Sequence, residues 1–209
     1  MIRYADPPGN GFLNSTLALP SPGNPGTTLG QQRRNVIEYA ASIWGAVLTS
    51  NTEIIVNARF ADTLGCTRNS AILAVATSKI LYSDFPGAPE FGVCYPSALA
   101  DALAGRDLCA DPKSHSTGEA DLDAPLNEKL DADSGCVGGK RHWYYGLDHN
   151  GGRDLDFLNV LLHEMAHGLG FQTFTDRFTG ENFGGKPSVY DLSVLDLSVM
   201  LTWREMSAD

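Results

Sequence analysis

Two histidines and one glutamate stand at a spacing that can bind and use a metal ion. His163, Glu164 and His167 form the pattern H-E-x-x-H within the stretch DLDFLNVLLHEMAHGLGFQT, residues 154–173. On an α-helix, residues four apart lie on the same face, so both imidazoles can bind one metal ion. Glu164 is then placed to take a proton from a water molecule that the metal activates. The pattern predicts a metal site with His163 and His167 as ligands and Glu164 as general base.

The alternative is a chance H-E-x-x-H on a core helix, with histidines that only satisfy local hydrogen bonds. Features around the motif favour the metal site. Asp154 or Asp156 can cap a helix after a glycine pair, and leucines recur at helical spacing. Gly168 and Gly170 can end the helix, because glycine readily adopts the left-handed conformation. We therefore predict a buried, capped helix over residues 154–168.

The rest of the chain predicts an α+β fold that positions this helix. Residues 1–30, rich in proline and glycine, read as an irregular lead-in, and residues 31–209 as one catalytic domain. We expect a twisted sheet, a helix and the motif helix behind it, and a small irregular part after Gly170. The hydrophobic spacing predicts helices at 31–48 and 97–104, strands at 53–60, 71–77 and 143–147, and a strand or turn at 120–126.

The segment 142–150, HWYYGLDHN, has two interpretations that the sequence leaves open. Its strand can line the substrate cleft and pair with an extended peptide, or it can be an ordinary core strand. His142 and His149 are predicted to be loop histidines rather than ligands. The aspartates of residues 105–140 do not match a calcium-binding loop, and we expect them to form a solvated acidic surface.

Composition restricts the partners. The net charge is −10, whereas a protein that binds nucleic acid needs a basic surface against the phosphates. No apolar run approaches the roughly 20 residues that span a bilayer, so we expect no membrane partner either.

The cysteines indicate an oxidising compartment. The chain has four, Cys66, Cys94, Cys109 and Cys136, with no C-x-x-C pair that would indicate a structural zinc site. Three pairings are possible, and we favour Cys94 with Cys109 and Cys66 with Cys136. The start, MIRYADPPGNGF, lacks a signal-peptide core. We expect a secreted or periplasmic protein whose signal peptide is absent from this sequence.

The motif also carries a family resemblance. HEMAHGLGFQTFTD resembles the extended zinc motif of the metzincin metallopeptidases, and HEMAHGLGF is similar to the same segment of leishmanolysin-type peptidases. Most of the chain resembles secreted bacterial zinc metallopeptidase-like proteins that carry a protease-associated domain. This resemblance rests on TTLGQQR, DFPGAP, LADALAG, WYYGLDHN, LLHEMAHGLGFQTFTD and PSVYDLSVLD. It implies a metzincin-like zincin fold, Zn²⁺ as cofactor, secretion, hydrolysis of peptide bonds, and a protease-associated domain in the full-length chain.

The chain departs from that family at the third ligand. Metzincins have His or Asp three residues after the motif glycine, where this chain has Thr173, a poor zinc ligand. A carboxylate can complete a His-His-carboxylate site, and we expect Asp191 in this role, with Asp196 as the alternative. Glu205 and Asp209 form an E-x-x-x-D pattern that resembles thermolysin-like peptidases and offers a further geometry.

The resemblance also predicts a methionine turn beneath the metal, at Met200 or Met206, or beyond Asp209 if the catalytic region is truncated here. Tyr145 or Tyr190 could stabilise the oxyanion, with structural packing as the alternative. The sequence thus predicts a zinc-dependent metallopeptidase that acts on peptide or protein substrates. The alternative functions are a non-catalytic secreted binding or adhesion module with a structural or vestigial zinc site, and a zinc hydrolase of a small molecule.

Overall fold

The computed structural model describes residues 1–109, 119–131, 135–139, 141–203 and 205. These residues form a mixed α+β structure of three α-helices and several small sheets, as the sequence predicts at this level. The helices are α1 (Leu29–Val47), α2 (Ser97–Ala104) and α3 (Phe157–Leu169); the strands are β1 (Ile2–Tyr4), β2 (Val56–Ala61), β3 (Thr77–Ser78), β4 (Leu81–Tyr82), β5 (Tyr95–Pro96), β6 (Leu122–Asn127), β7 (Trp143–Tyr144), β8 (Leu155–Asp156), β9 (Leu195–Asp196) and β10 (Leu201–Thr202).

The chain folds into two compact units, each built from three segments. The first comprises Met1–Thr49, Ile55–Thr77 and Asp123–Met165, and the second comprises Ser50–Ile54, Ser78–Leu122 and Ala166–Asp209. Helix α3 continues from the first unit into the second. None of the described helices is long and apolar enough to cross a membrane.

The first unit packs α1 and the first part of α3 around a sheet. The four-stranded sheet has the order β1-β2-β6-β3, and β1 pairs with β2 in parallel. Side chains of β2 alternate between buried and partly exposed, because successive residues of a strand point to opposite faces. Thr28 caps α1 by accepting a hydrogen bond from the backbone of Gln31. Apolar residues from both helices, the sheet and the segments around them form the core of this unit, including Phe12, Val36, Ile37, Phe60, Trp143, Phe157 and Leu161.

A buried arginine crosses this core. Arg33 donates hydrogen bonds to the Tyr145 hydroxyl (2.9 Å) and to Asp131 (2.6 Å), and its guanidinium lies 4.0 Å from the centre of the Phe60 ring. Asp131 is therefore part of an internal ion pair and not of the predicted solvated surface. Asp121 is also buried, whereas Asp111 and Asp133 of the same predicted surface lie outside the described residues.

The second unit has a smaller core. It surrounds Tyr95 and includes Phe85, Val93, Ala100 and Leu108. Helix α2 lies at the predicted position and ends at Gly105, whose φ of 66° is left-handed. Within this unit, Asp101 is buried and accepts a hydrogen bond from the Leu108 amide (2.9 Å). Burial raises the pKa of Asp101 to about 6.

One predicted disulfide is present and the other is not. Cys66 and Cys136 form a disulfide bond in the first unit, as predicted. The predicted Cys94–Cys109 pairing is wrong, because both cysteines are free thiols. The Cys109 thiol instead lies 2.9 Å from the Tyr82 hydroxyl in a hydrogen bond. Short loop length favoured this pair in the sequence, but it does not decide where two side chains point.

Some strands are shorter than predicted, because part of the predicted segment is a loop that is not continuously paired with a neighbouring strand. The predicted strand 53–60 forms at Val56–Ala61, and the strand or turn at 120–126 forms as β6. The strand predicted at 71–77 is mostly irregular: Ala71 and Ala74 make isolated bridges, and only Thr77–Ser78 is a strand. The strand predicted at 143–147 is reduced to β7.

Candidate metal centre

The motif helix begins where the sequence predicts a cap, but a turn later than its first residue. Asp156 Oδ1 accepts a hydrogen bond from the Asn159 amide (3.0 Å), so Asp156 is the capping residue. Asp154 instead accepts a hydrogen bond from the His142 amide (3.0 Å). The two residues before the helix, Leu155–Asp156, form β8, which pairs in parallel with β7. The motif helix therefore spans Phe157–Leu169 and not 154–168.

One face of α3 is apolar and buried, and the two motif histidines lie away from it, with Glu164 at its edge. Helical residues advance by roughly 100° each, so His163 points roughly 200° away from the buried Leu161. His163 is exposed, and Glu164 and His167 are half-buried. The histidines are one turn apart, where side chains on the same face have their Cβ atoms about 5–6 Å apart. The buried face that anchors the helix in the first unit consists of Phe157, Leu158, Leu161 and Met165.

The glycine after the motif ends the helix in a Schellman turn. The amide of Phe171 donates to the Ala166 carbonyl (3.0 Å), and the amide of Gly170 donates to the His167 carbonyl (3.1 Å). Gly170 has a φ of 124°, which side-chain-bearing residues rarely adopt. The turn therefore requires glycine at this position of the motif, as the sequence predicts.

The turn brings the backbone after the helix into contact with His167, the second motif histidine. The Phe171 carbonyl lies 2.7 Å from Nδ1 of His167. A carbonyl oxygen only accepts hydrogen bonds, so Nδ1 must carry the proton. In the neutral ring, Nε2 then carries the lone pair, which is the form that binds a metal. Metal-binding histidines in proteins usually have their second nitrogen fixed in this way.

The candidate third ligands lie on the segment after the helix. Asp191 is buried, and its Oδ2 accepts hydrogen bonds from the amides of Phe174 (2.9 Å) and Ser188 (2.7 Å). Among the described residues, its other oxygen, Oδ1, is buried without a hydrogen-bond partner. Asp196 is half-buried and accepts from the amide and hydroxyl of Ser198 through Oδ1.

Across the described ranges, no three His, Cys, Asp or Glu side chains are grouped so that they could hold a metal ion. The structure thus provides the two histidines on one helix, and the identity of the third ligand stays a prediction. Thr173 is exposed. Glu205 accepts hydrogen bonds from the amide and hydroxyl of Thr202, while Asp209, its partner in the thermolysin-like pattern, lies outside the described residues.

The other residues singled out in the sequence have structural or exposed positions. Tyr145 is buried and bonded to Arg33, which favours packing over an oxyanion role. Tyr190 is partly exposed, with its ring 5.9 Å from that of Phe171. Met200 is exposed at a φ of 57°, and Met206 lies outside the described residues.

His142 and His149 lie outside helices and strands, as predicted. His149 contacts Asp156, the capping residue, with its Nδ1 2.7 Å from Oδ2. Of the two interpretations of the 142–150 segment, the burial of Trp143 and Tyr145 in the core favours the core strand.

The sequence does not reveal two groups and one packing contact that shape this site. The Phe171 carbonyl is a backbone atom, and no side-chain motif identifies it. Ser188 fastens the segment after the helix by donating to the Gln172 carbonyl (2.8 Å). Gly168 lies against Leu122, where an added Cβ would be 1.7 Å from Cδ2. Each contact involves either a backbone group or a residue far from the motif in the sequence. The spacing of the motif residues therefore cannot predict it.

Comparison with known proteins adds little to this geometry. No protein-family model matches the chain, and no solved structure matches it. A protein of the fission yeast Schizosaccharomyces pombe, itself described as uncharacterized, is 26% identical over 178 residues, which cover 81% of this chain. The chain spans 28% of the length of that relative.

Proposed function

We propose that this chain is a zinc-dependent metallopeptidase domain that hydrolyses peptide bonds. One observation carries the proposal: both histidines of H-E-x-x-H lie on the outward face of a capped helix, and Nδ1 of the second histidine lies 2.7 Å from a backbone carbonyl. A histidine retained only for core packing would face the apolar side of the helix. Both motif histidines face away from that side.

The residues divide the chemistry between them. His163 and His167 would hold Zn²⁺ through neutral ring nitrogens. A bound zinc ion supplies a Lewis acid that polarises a carbonyl group and lowers the pKa of water. Glu164 would take the proton from the attacking water and return it to the departing amine, because it follows the first histidine on the same helix. Asp191 is the predicted third ligand and Asp196 the alternative.

The wider assignments belong to the same proposal. A metzincin-like arrangement is supported by the α+β composition and by the glycine turn at Gly170 that ends the motif helix. Secretion is supported by the Cys66–Cys136 disulfide, since such bonds persist in oxidising compartments. A protease-associated domain elsewhere in the full-length chain follows from the family resemblance alone.

A second function is favoured by a different observation. Within the described residues, no third His, Cys, Asp or Glu joins the two histidines in a group that could hold a metal ion. A secreted binding module with a weak or structural zinc site would have this arrangement. Glu164 argues against it, because a structural site does not need a base next to its ligand.

The experiment measures zinc content and peptide cleavage for the wild type, Glu164→Gln and Glu53→Gln. Glu53 is exposed and lies outside α3, so its variant controls for the loss of one negative charge. We expect zinc in all three proteins, cleavage by the wild type and Glu53→Gln, and about 100-fold or greater loss in Glu164→Gln, the scale of general acid–base catalysis. Zinc binding without cleavage in any protein would support the binding module, and equal cleavage by all three would remove Glu164 from the mechanism.

A further inference from the structure

Asp191 holds together two segments that follow the motif helix. Its Oδ2 accepts hydrogen bonds from the amides of Phe174 (2.9 Å) and Ser188 (2.7 Å), which are 14 positions apart in the sequence by numbering. Asp191 is only 1% exposed, so water does not compete with these bonds. One carboxylate oxygen therefore fastens residues 172–174 to residues 187–191.

Ser188 strengthens the same attachment. Its hydroxyl donates to the Gln172 carbonyl (2.8 Å) and accepts from the Asp191 amide (3.1 Å). The neighbouring backbone is anchored on its other side by Cys94, whose amide donates to Pro187 (2.9 Å) and whose carbonyl accepts from Val189 (2.9 Å). We call Asp191 and Ser188, with these bonds, the carboxylate clasp.

The clasp acts on the peptide group that touches His167. The Phe171 carbonyl, which accepts from Nδ1 of His167, belongs to the same planar peptide unit as the Gln172 amide. On one side, this unit is tied to the helix end by the Schellman turn, and the Gln172 amide donates to Gly170 (2.9 Å). On the other side, Ser188 holds the carbonyl of Gln172. Hydrogen bonds therefore hold the chain on both sides of the Phe171 carbonyl.

We infer that Asp191 is a positioning residue: through the clasp it keeps the Phe171 carbonyl on His167 and so presents Nε2 of His167 as the metal-binding nitrogen. This role rests on the proposed zinc site, and it explains how His167 is oriented for zinc binding. It differs from the third-ligand role predicted from the sequence. In the clasp, Asp191 acts through backbone amides and His167, whereas a ligand would act on the metal directly.

Two substitutions at Asp191 separate these roles. Asparagine keeps an amide oxygen that can accept from Phe174 and Ser188, so a clasp survives Asp191→Asn. A carboxamide is a much weaker zinc ligand than a carboxylate, so a third-ligand role does not survive it. Asp191→Ala removes both functions. The matched control is Asp176→Ala, since Asp176 also accepts from two amides, those of Phe178 (2.8 Å) and Thr179 (2.9 Å), but does not lie next to Gln172.

The experiment records the ring-nitrogen signals of His167 by ¹⁵N NMR in the zinc-free chain, at a pH where the ring is neutral, and zinc affinity by competition with a chelator. We expect the wild type, Asp191→Asn and Asp176→Ala to share the Nδ1–H tautomer and zinc affinities within about threefold. For Asp191→Ala we expect mixed tautomers and zinc binding about 10- to 100-fold weaker, the usual effect of losing a group that orients a ligand. The tautomer does not depend on hydrolysis, so it reports on the clasp even if the chain proves not to be a peptidase.

Two results would overturn the positioning role. The first is an unchanged His167 tautomer in a folded Asp191→Ala chain. The second is a loss of zinc in Asp191→Asn as large as in Asp191→Ala, which would assign Asp191 as a direct ligand. If Asp191→Ala does not fold by far-UV circular dichroism, Ser188→Ala provides the same test, because it removes only the hydroxyl contacts. A wild-type tautomer and zinc affinity in Ser188→Ala would then contradict the clasp.

Discussion

Replacing Gly168 with alanine should show how tightly the end of the motif helix is packed. A Cβ added at Gly168 would lie 1.7 Å from Cδ2 of Leu122 and 2.7 Å from its Cγ. Rotation about the Cβ–Cγ bond of Leu122 would move Cδ2 but leave Cγ in place, and Leu122 is only 1% exposed, so it has little space to move. The substitution therefore forces the helix end and Leu122 apart.

The expected cost follows from two opposing effects. Overpacking a filled core typically costs about 1–3 kcal/mol. Alanine in place of glycine within a helix gains about 1 kcal/mol. Because two heavy atoms of Leu122 overlap the new Cβ, we expect the upper part of the range, for a net loss of about 2 kcal/mol. At a urea dependence of about 2 kcal/mol/M, the unfolding midpoint should fall by about 1 M.

Gly45 provides the matched control. It also lies within a helix, α1, but an added Cβ would meet nothing within 4 Å. Gly45→Ala should therefore raise the free energy of unfolding by about 0.5–1 kcal/mol. Urea unfolding followed by circular dichroism measures both variants. Equal stabilisation of Gly168→Ala and Gly45→Ala would refute the packing of the helix end on Leu122, and a Leu122→Ala background should remove most of the Gly168→Ala cost.

Three further predictions concern stability. Asp156→Ala should cost about 1 kcal/mol by removing the cap on the Asn159 amide, and Asp156→Asn, also a good capping residue, should cost less; urea unfolding compares them, and equal losses would contradict the cap. The pKa of Asp101 is raised to about 6 by burial, so its ionisation opposes folding, and the free energy of unfolding should fall between about pH 4 and pH 6. Asp101→Asn should be more stable than the wild type at pH 7 but not below pH 4; unfolding curves across this range test the sign. The Cys66–Cys136 disulfide closes a separation of 70 residues, and its removal by a double alanine substitution should cost about 4 kcal/mol, while thiol titration of the unfolded wild type should find two free thiols.

How much of the fold the sequence predicts depends on the strength of local signals. The helix predicted at 31–48 forms at Leu29–Val47, because an apolar stripe and the Thr28 cap both favour it. The strand predicted at 71–77 has apolar residues but no continuous partner, and ladder pairing is not encoded in one segment. The Cys66–Cys136 prediction is confirmed and the Cys94–Cys109 prediction is wrong. Cysteine spacing does not decide either case, because disulfide pairing depends on which distant parts of the chain the fold brings together.

The same division applies to the candidate site. Residue spacing predicts the motif helix, the helix face that carries the two histidines, and the glycine that ends the helix. All three depend on residues within about two turns of the motif. Which ring nitrogen of His167 carries the proton depends on the Phe171 carbonyl, a group that every residue type provides. In the clasp that we infer, Asp191 acts on that carbonyl indirectly, through the Phe174 amide, from 20 positions further along the sequence by numbering. An aspartate at that distance appears in the sequence only as a possible ligand, because motif reasoning considers side chains that touch the metal and not those that orient the ligands.

The segment after the helix distinguishes a metal site from a chance pattern better than the motif does. Any amphipathic helix can place two histidines one turn apart on its outward face. Selecting one tautomer requires an acceptor aligned with Nδ1, and this helix obtains it from a turn that only glycine at position 170 makes easily. A Gly170→Ala chain should therefore keep both histidines and the helix but lose the uniform Nδ1–H tautomer of His167. If ¹⁵N NMR of that zinc-free variant still showed a single Nδ1–H form, the turn would not be the element that prepares the histidine for metal.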